Sequence, residues 1–210
     1  MKRCVKPSSR RLLGFSLVEL MMVIFISTIL LFAGMGMFRS SRGEAVKTGT
    51  EKLSAMIEQA RVAAITSRRP VALVLVEPGS GEFDDGACRL GMFALEEWSD
   101  DQVVRGDQME RWAVLPVGMA FFGGAVEGLE NVVDQTPIEI EGEEGEFAGI
   151  VPALVFSARG GLLSPPGSES VVLSMGSGTY QSGRAIATTE GGQRAIRVGR
   201  VAARAWNLDQ

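Results

Sequence analysis

From Phe15 to Phe38 the chain runs through 24 residues with a single charge, Glu19, near the start. As a helix rising ~1.5 Å per residue, that run reaches roughly 36 Å, more than the about 30 Å of a bilayer's hydrocarbon core. A segment this apolar and this long is expected to form a transmembrane helix over residues 15–38. A carboxylate inside it costs about 2.5 kcal/mol or more when left alone, so Glu19 is expected to have a partner or a function. Before Gly14 stand Lys2, Arg3, Lys6, Arg10 and Arg11, with no acid. Five cations beside a span hold that end in the cytoplasm and send the remainder across.

An ordinary secretory signal peptide is one alternative, but it calls for a shorter apolar core and a small-x-small cleavage site. Here the core is longer, and the one tolerable site, around Leu31-Phe32-Ala33, has bulky neighbours. A plain uncleaved anchor is a second alternative; it accounts for the span and leaves Glu19 without a reason.

The heptapeptide Gly14-Phe15-Ser16-Leu17-Val18-Glu19-Leu20 resembles the class III signal of type IV pilins and type II secretion pseudopilins. The resemblance implies that residues 1–14 form a leader cut by a prepilin peptidase between Gly14 and Phe15, on the cytoplasmic side. It implies that Phe15 is then N-methylated and that Glu19 serves assembly. Cutting after Gly14 would place a positive amine at Phe15, within a turn of Glu19. In a bundle, Glu19 of one subunit could pair with the Phe15 amine of a neighbour, offsetting two burial costs and fixing the stagger between subunits. The competing reading is that Glu19 snorkels toward the cytoplasmic headgroups.

Removing the five leader cations takes the formal charge from −4 to −9, an acidic chain ill suited to binding polyanions over its whole surface. The charge is uneven. Residues 77–148 hold 18 acids against three arginines, whereas residues 149–210 hold six arginines against three acids. Cys4 lies in the leader and Cys88 stands alone after it, so the processed chain has no internal disulfide. Cys88 reads as a small apolar residue in a strand.

Beyond Phe38 the sequence turns polar but keeps helical spacing. Val46, Leu53, Ile57, Ala60 and Ala64 line one side, with Lys47, Glu51, Lys52 and Glu58 elsewhere. Residues 39–69 are therefore expected to continue the helix as an amphipathic segment, stopped by Pro70. Gly34, Gly36 and Gly43 are expected to weaken the junction. After Pro70 the texture is β. Strands are expected at 71–76, 89–98, 111–115, 119–122, 153–156, 170–174, 185–188 and 194–203, with an edge strand at 138–141. The stretch 134–149 reads as an exposed acidic loop.

Three further patches narrow the resemblance. Ala60-Arg61 with Ala64-Ile65 and Arg69-Pro70-Val71-Ala72-Leu73, the turn Val155-Phe156-Ser157-Ala158-Arg159-Gly160-Gly161-Leu162, and the tail Ala195-Ile196-Arg197-Val198-Gly199-Arg200-Val201 are similar to GspH/FimT-type minor pseudopilins. That implies an α+β fold, pilin-like, with a long N-terminal transmembrane-plus-amphipathic helix packed on an antiparallel β-sheet domain over residues 70–210. It also implies a single-pass inner-membrane protein whose C-terminal domain is periplasmic, and whose partners are the prepilin peptidase and other pseudopilins or pilins. The segment from Glu77 to Ile150 departs from that pattern.

No histidine is present, which removes Ser-His-Asp and Cys-His nucleophiles and imidazole metal ligands. No phosphate-binding Gly-x-x-x-x-Gly-Lys loop occurs. Acid pairs at Asp84-Asp85, Glu96-Glu97, Asp100-Asp101 and Glu143-Glu144 lack the spacing of a calcium loop and read as solvated charge. Related major pseudopilins use calcium, but through a loop these residues do not match. No catalytic residue, metal or cofactor is assigned, and the chain is not expected to be an enzyme. Arg194, Arg200 and Arg204 could contact DNA phosphates or a partner, with Arg197 on the opposite strand face. Some FimT-like minor pilins bind DNA through such a basic region. Two rivals to the assembly subunit thus stay open: a DNA-binding minor pilin, and a plain membrane-anchored periplasmic binding domain.

Overall fold

A computed structural model describes residues 16–79, 83, 85–98, 103–141, 147–188 and 192–208, with the side chains of 33–42 and 103–104 outside that description. The fold is α+β. One helix, α1 (Leu17–Ser67), runs through the junction glycines without a break. The chain divides into two compact units, Met1–Ser40 and Ser41–Gln210.

In the second unit, α1 buries a stripe at helical spacing: Val46, Thr50, Leu53, Ile57, Ala60 and Ala64 are all 2% exposed or less. These are the positions that the 3.6-residue period selects. Thr50 is the one polar member, and its hydroxyl donates back to the Val46 carbonyl at 2.7 Å, so its burial leaves no bond unmade. The helix ends where Arg68 enters the left-handed region (φ 56°), and Pro70 cannot rejoin the ladder.

The strands are β1 (Val71–Val76), β2 (Arg89–Leu95), β3 (Val103–Gln108), β4 (Ala113–Val114), β5 (Met119–Phe122), β6 (Ile138–Glu141), β7 (Gly149–Val151), β8 (Ala153–Phe156), β9 (Leu162–Ser164), β10 (Val171–Gln181), β11 (Arg184–Ala187), β12 (Gln193–Val198) and β13 (Ala205–Leu208). The first sheet follows the path β7-β6-β3-β2-β1-β8-β9, with β4 added on β2. Its ends meet. β7 passes into β8 through Pro152 alone, and the Leu75 N–H on β1 donates to the Pro152 carbonyl at 2.9 Å. The strands therefore curl into a small closed barrel. Its interior is Ala72, Val74, Val76, Phe93, Leu95, Ile138, Ile140, Val151, Ala153 and Val155, flanked by Phe83, Trp98, Trp112, Phe147 and Leu163. The rings of Phe83, Phe93, Trp112 and Phe147 meet at centroid distances of 5.1–6.5 Å.

The alternate residues of the same strands face the helix. Val71, Leu73, Leu75, Leu90, Met92, Leu154 and Phe156 join the α1 stripe in one core. The second sheet supplies the rest: β10 pairs with β5, β11 and β12, β12 pairs with β13, and Leu173, Met175, Ile196 and Val198 complete the helix-facing core. β1 is therefore buried on both faces, which is why it reads as an unbroken apolar run rather than an alternation.

Several expectations are corrected. The β region is not one antiparallel sheet: there are two, and β3 pairs with β6 in parallel. Within the stretch 134–149, read as an exposed acidic loop, the expected strand at 138–141 forms as β6 with Ile138 and Ile140 inside the barrel, Gly149 opens β7, and residues 142–146 lie outside the described residues. β6 alternates buried and exposed as its sequence predicts, but it is no edge, being paired with β3 and β7. Cys88 lies just before β2 rather than in a strand.

Candidate assembly surfaces

Ser16 immediately precedes α1, and its carbonyl accepts from the Leu20 N–H at 3.1 Å. Ser16-Leu17-Val18-Glu19 has the spacing of a capping box. Glu19 sits in the first turn, where the unpaired N–H groups favour a carboxylate, and it is exposed. Every side chain from Leu17 to Phe32 is exposed, with Leu17 at 74% and Phe32 at 75%. Contiguous apolar surface on this scale marks a contact with lipid or with other protein. Thr28 returns its hydroxyl to the Ile24 carbonyl at 2.7 Å, leaving no polar group of its own unsatisfied on that surface. Among the described residues no helix is long and apolar enough to cross a membrane. The described apolar side chains stop at Phe32. Gly14 and Phe15, the expected cleavage and methylation positions, lie outside the described residues.

The three arginines singled out near the C-terminus do not form a stripe. Arg200 donates to the carbonyls of Pro165, Pro166 (3.0 Å) and Glu169 (2.6 Å), tying the β12–β13 turn to the loop after β9. Burial holds its pKa below the usual arginine range, against the opposing pull of Glu130. Its guanidinium is thus committed to backbone, and its availability for a phosphate contact is not supported. Arg194 and Arg204 are exposed but stand near opposite ends of the β12–β13 pair. Five residues separate Arg194 from the level of Arg204, roughly 16 Å along a strand. Arg197 is exposed, and its cross-strand partner is Trp206, itself 50% exposed.

Asp85 and Arg89 form an ion pair at 2.5 Å, and that hydrogen bond holds the Asp85 carboxyl below the usual carboxylate range. Asp84, Asp100, Asp101, Glu143 and Glu144 lie outside the described residues. Among the described residues no cluster of acids or cysteine could hold a metal ion. Cys88 is buried, donates to the Met119 carbonyl, and has its thiol pushed up to about 12 by burial. Tyr180, likewise raised by burial, sets its hydroxyl 3.8 Å from that sulfur and accepts from the Phe121 N–H at 2.9 Å. A thiol so held stays neutral and is no nucleophile at neutral pH.

No family model matches this chain, and no curated protein does. It is similar to the crystal structure of the type IV minor pilin FimU of Pseudomonas aeruginosa strain PAO1. The TM-score is 0.42 and the identity 14%, over 79% of this chain and 90% of that one.

Proposed function

We propose that this chain is a minor pseudopilin or pilin-like structural subunit of the GspH/FimT type, with no catalytic role. The observation that carries the reading is α1 itself. Its first turns present an all-round apolar surface with one carboxylate, Glu19, while the stripe from Val46 to Ala64 is enclosed by the β unit. A surface of the first kind calls for lipid, neighbouring helices, or both in turn.

In this reading residues 15–38 span the inner membrane, the last six of them completing what the described side chains begin, and the β unit is periplasmic. The prepilin peptidase cuts between Gly14 and Phe15, Phe15 is methylated, and its amine pairs with Glu19 of a neighbour. The subunit then enters a type II secretion pseudopilus or a type IV pilus-like fibre. DNA uptake is the weaker alternative, because the bonds of Arg200 remove one of its three phosphate contacts.

The test is the intact mass and N-terminal sequence of the protein from membranes, with and without the cognate peptidase. A chain starting at methylated Phe15 is expected. A start at Met1 would leave a plain anchor, and a start after Ala33 a secreted domain; either ends the proposal.

A further inference from the structure

Two exposed cross-strand pairs match each other in layout and oppose each other in charge. On the outside of the barrel, Glu139 of β6 faces Ile150 of β7, and Ile150 is 66% exposed. On the second sheet, Arg197 of β12 faces Trp206 of β13. Alternation puts Glu141 on the face of Glu139, where it already pairs with Arg105 at 3.0 Å. The same alternation puts Arg204 beside Trp206. The Trp206 ring lies over Gly199, where a Cβ would come within 2.9 Å of it, so the indole is held in place while half of it stays in water. Among the described residues neither Arg197 nor Arg204 has an ion pair or a side-chain hydrogen bond, and no bond joins the two pairs within the chain. β13 is also the last strand of its sheet, paired only with β12.

We propose that the Arg197–Trp206 pair of one copy docks on the Glu139–Ile150 pair of a second copy of this chain. Each pair brings one charge and one large apolar side chain. The two charges neutralise across the contact, while indole on isoleucine excludes the water that screens an exposed ion pair. The contact is heterologous, since each copy gives one pair and receives the other, and repetition extends a row rather than closing a twofold dimer. Its area is small, so it is weak in dilute solution. It gains its effect when the N-terminal helices hold copies at high effective concentration, and to that extent it rests on the assembly reading above.

The experiment uses the full chain in detergent micelles, with association followed by analytical ultracentrifugation across a salt series. The unchanged protein is expected to show a salt-sensitive component above whatever salt-resistant association the helices give. Arg197→Glu and Glu139→Arg are each expected to weaken that component about fivefold or more, as reversal turns an exposed attraction into repulsion. Mixed one to one, these two variants are expected to recover both contacts and form rows in which they alternate, and Glu139→Arg/Arg197→Glu in one chain is expected to restore rows of its own. Salt-sensitive association that is missing, or untouched by either reversal, overturns the proposal, as does a double swap that fails to restore it. A salt-sensitive gel shift with DNA that Arg197→Glu abolishes would assign the arginine face to a polyanion and overturn it as well. The leader plays no part in these outcomes, so failure here is distinct from failure of processing at Gly14.

Discussion

The two halves of α1 are built from the same backbone and solve opposite problems. Between Val46 and Ala64 the apolar residues keep to one stripe, and the chain covers that stripe with its own two sheets. Between Leu17 and Phe32 apolar residues occupy all sides, and the chain covers none of them. Fixed periodicity identifies a helix that folds against its own domain; its absence identifies a helix whose environment comes from elsewhere.

The sharpest way to break the comparison is to truncate a leucine in each half. Leu53→Ala, at a fully buried site, is expected to cost about 2–5 kcal/mol. Leu31→Ala should leave the thermal unfolding of the β unit where it was, because Leu31 is 66% exposed and packs on nothing in the chain described. Equal shifts in melting temperature for the two would remove the distinction. Next comes Glu19→Ala, expected to be processed, inserted and folded like the parent yet lost from isolated fibres. Its recovery in fibres at the parent's level would take the assembly role from Glu19.

The smallest effect concerns a carboxylate of the β unit. Burial raises Glu77 above its ordinary value of about 4.3, because the ionised form is penalised. The sign follows from linkage. The stability that comes with a neutral Glu77 is whole below that ordinary value and is lost as pH rises through the folded value. Glu77→Gln is therefore expected to be the more stable protein at pH 7, by less than about 1 kcal/mol because the group is half solvated, and to match the parent near pH 3. Denaturant unfolding at the two pH values measures it; a variant less stable at pH 7 would reverse the assignment.

Much of the helix was legible because its information is local. The stripe from Val46 to Ala64 follows from spacing alone, and Pro70 marks the stop. Most strands with apolar runs were legible for the same reason. β3 was not: Val-Val-Arg-Gly-Asp-Gln offers neither alternation nor an apolar run, and it becomes a strand by pairing with β2 and β6. β13 was missed because Ala-Trp-Asn-Leu is short and follows an unexpected turn after β12. Barrel closure rests on pairings between residues about 80 positions apart, which no window of sequence displays. Arg200 illustrates the same limit in a single side chain. It resembles its neighbours Arg197 and Arg204 in sequence, and only the return of residues 165–169 makes it a brace.

The double burial of β1 bears on how the protein is made. Val71-Ala-Leu-Val-Leu-Val76 is six residues of high β-propensity with no charge, proline or glycine, the composition of a strand that stacks on copies of itself when left uncovered. Its antiparallel neighbour β8 is synthesised about 80 residues later, so the segment waits without that partner while the ribosome works. The residues on either side answer this hazard. Arg68, Arg69 and Pro70 precede it, and Glu77 and Pro78 follow, placing charge and a missing N–H at both ends of this hexapeptide while the fold is incomplete.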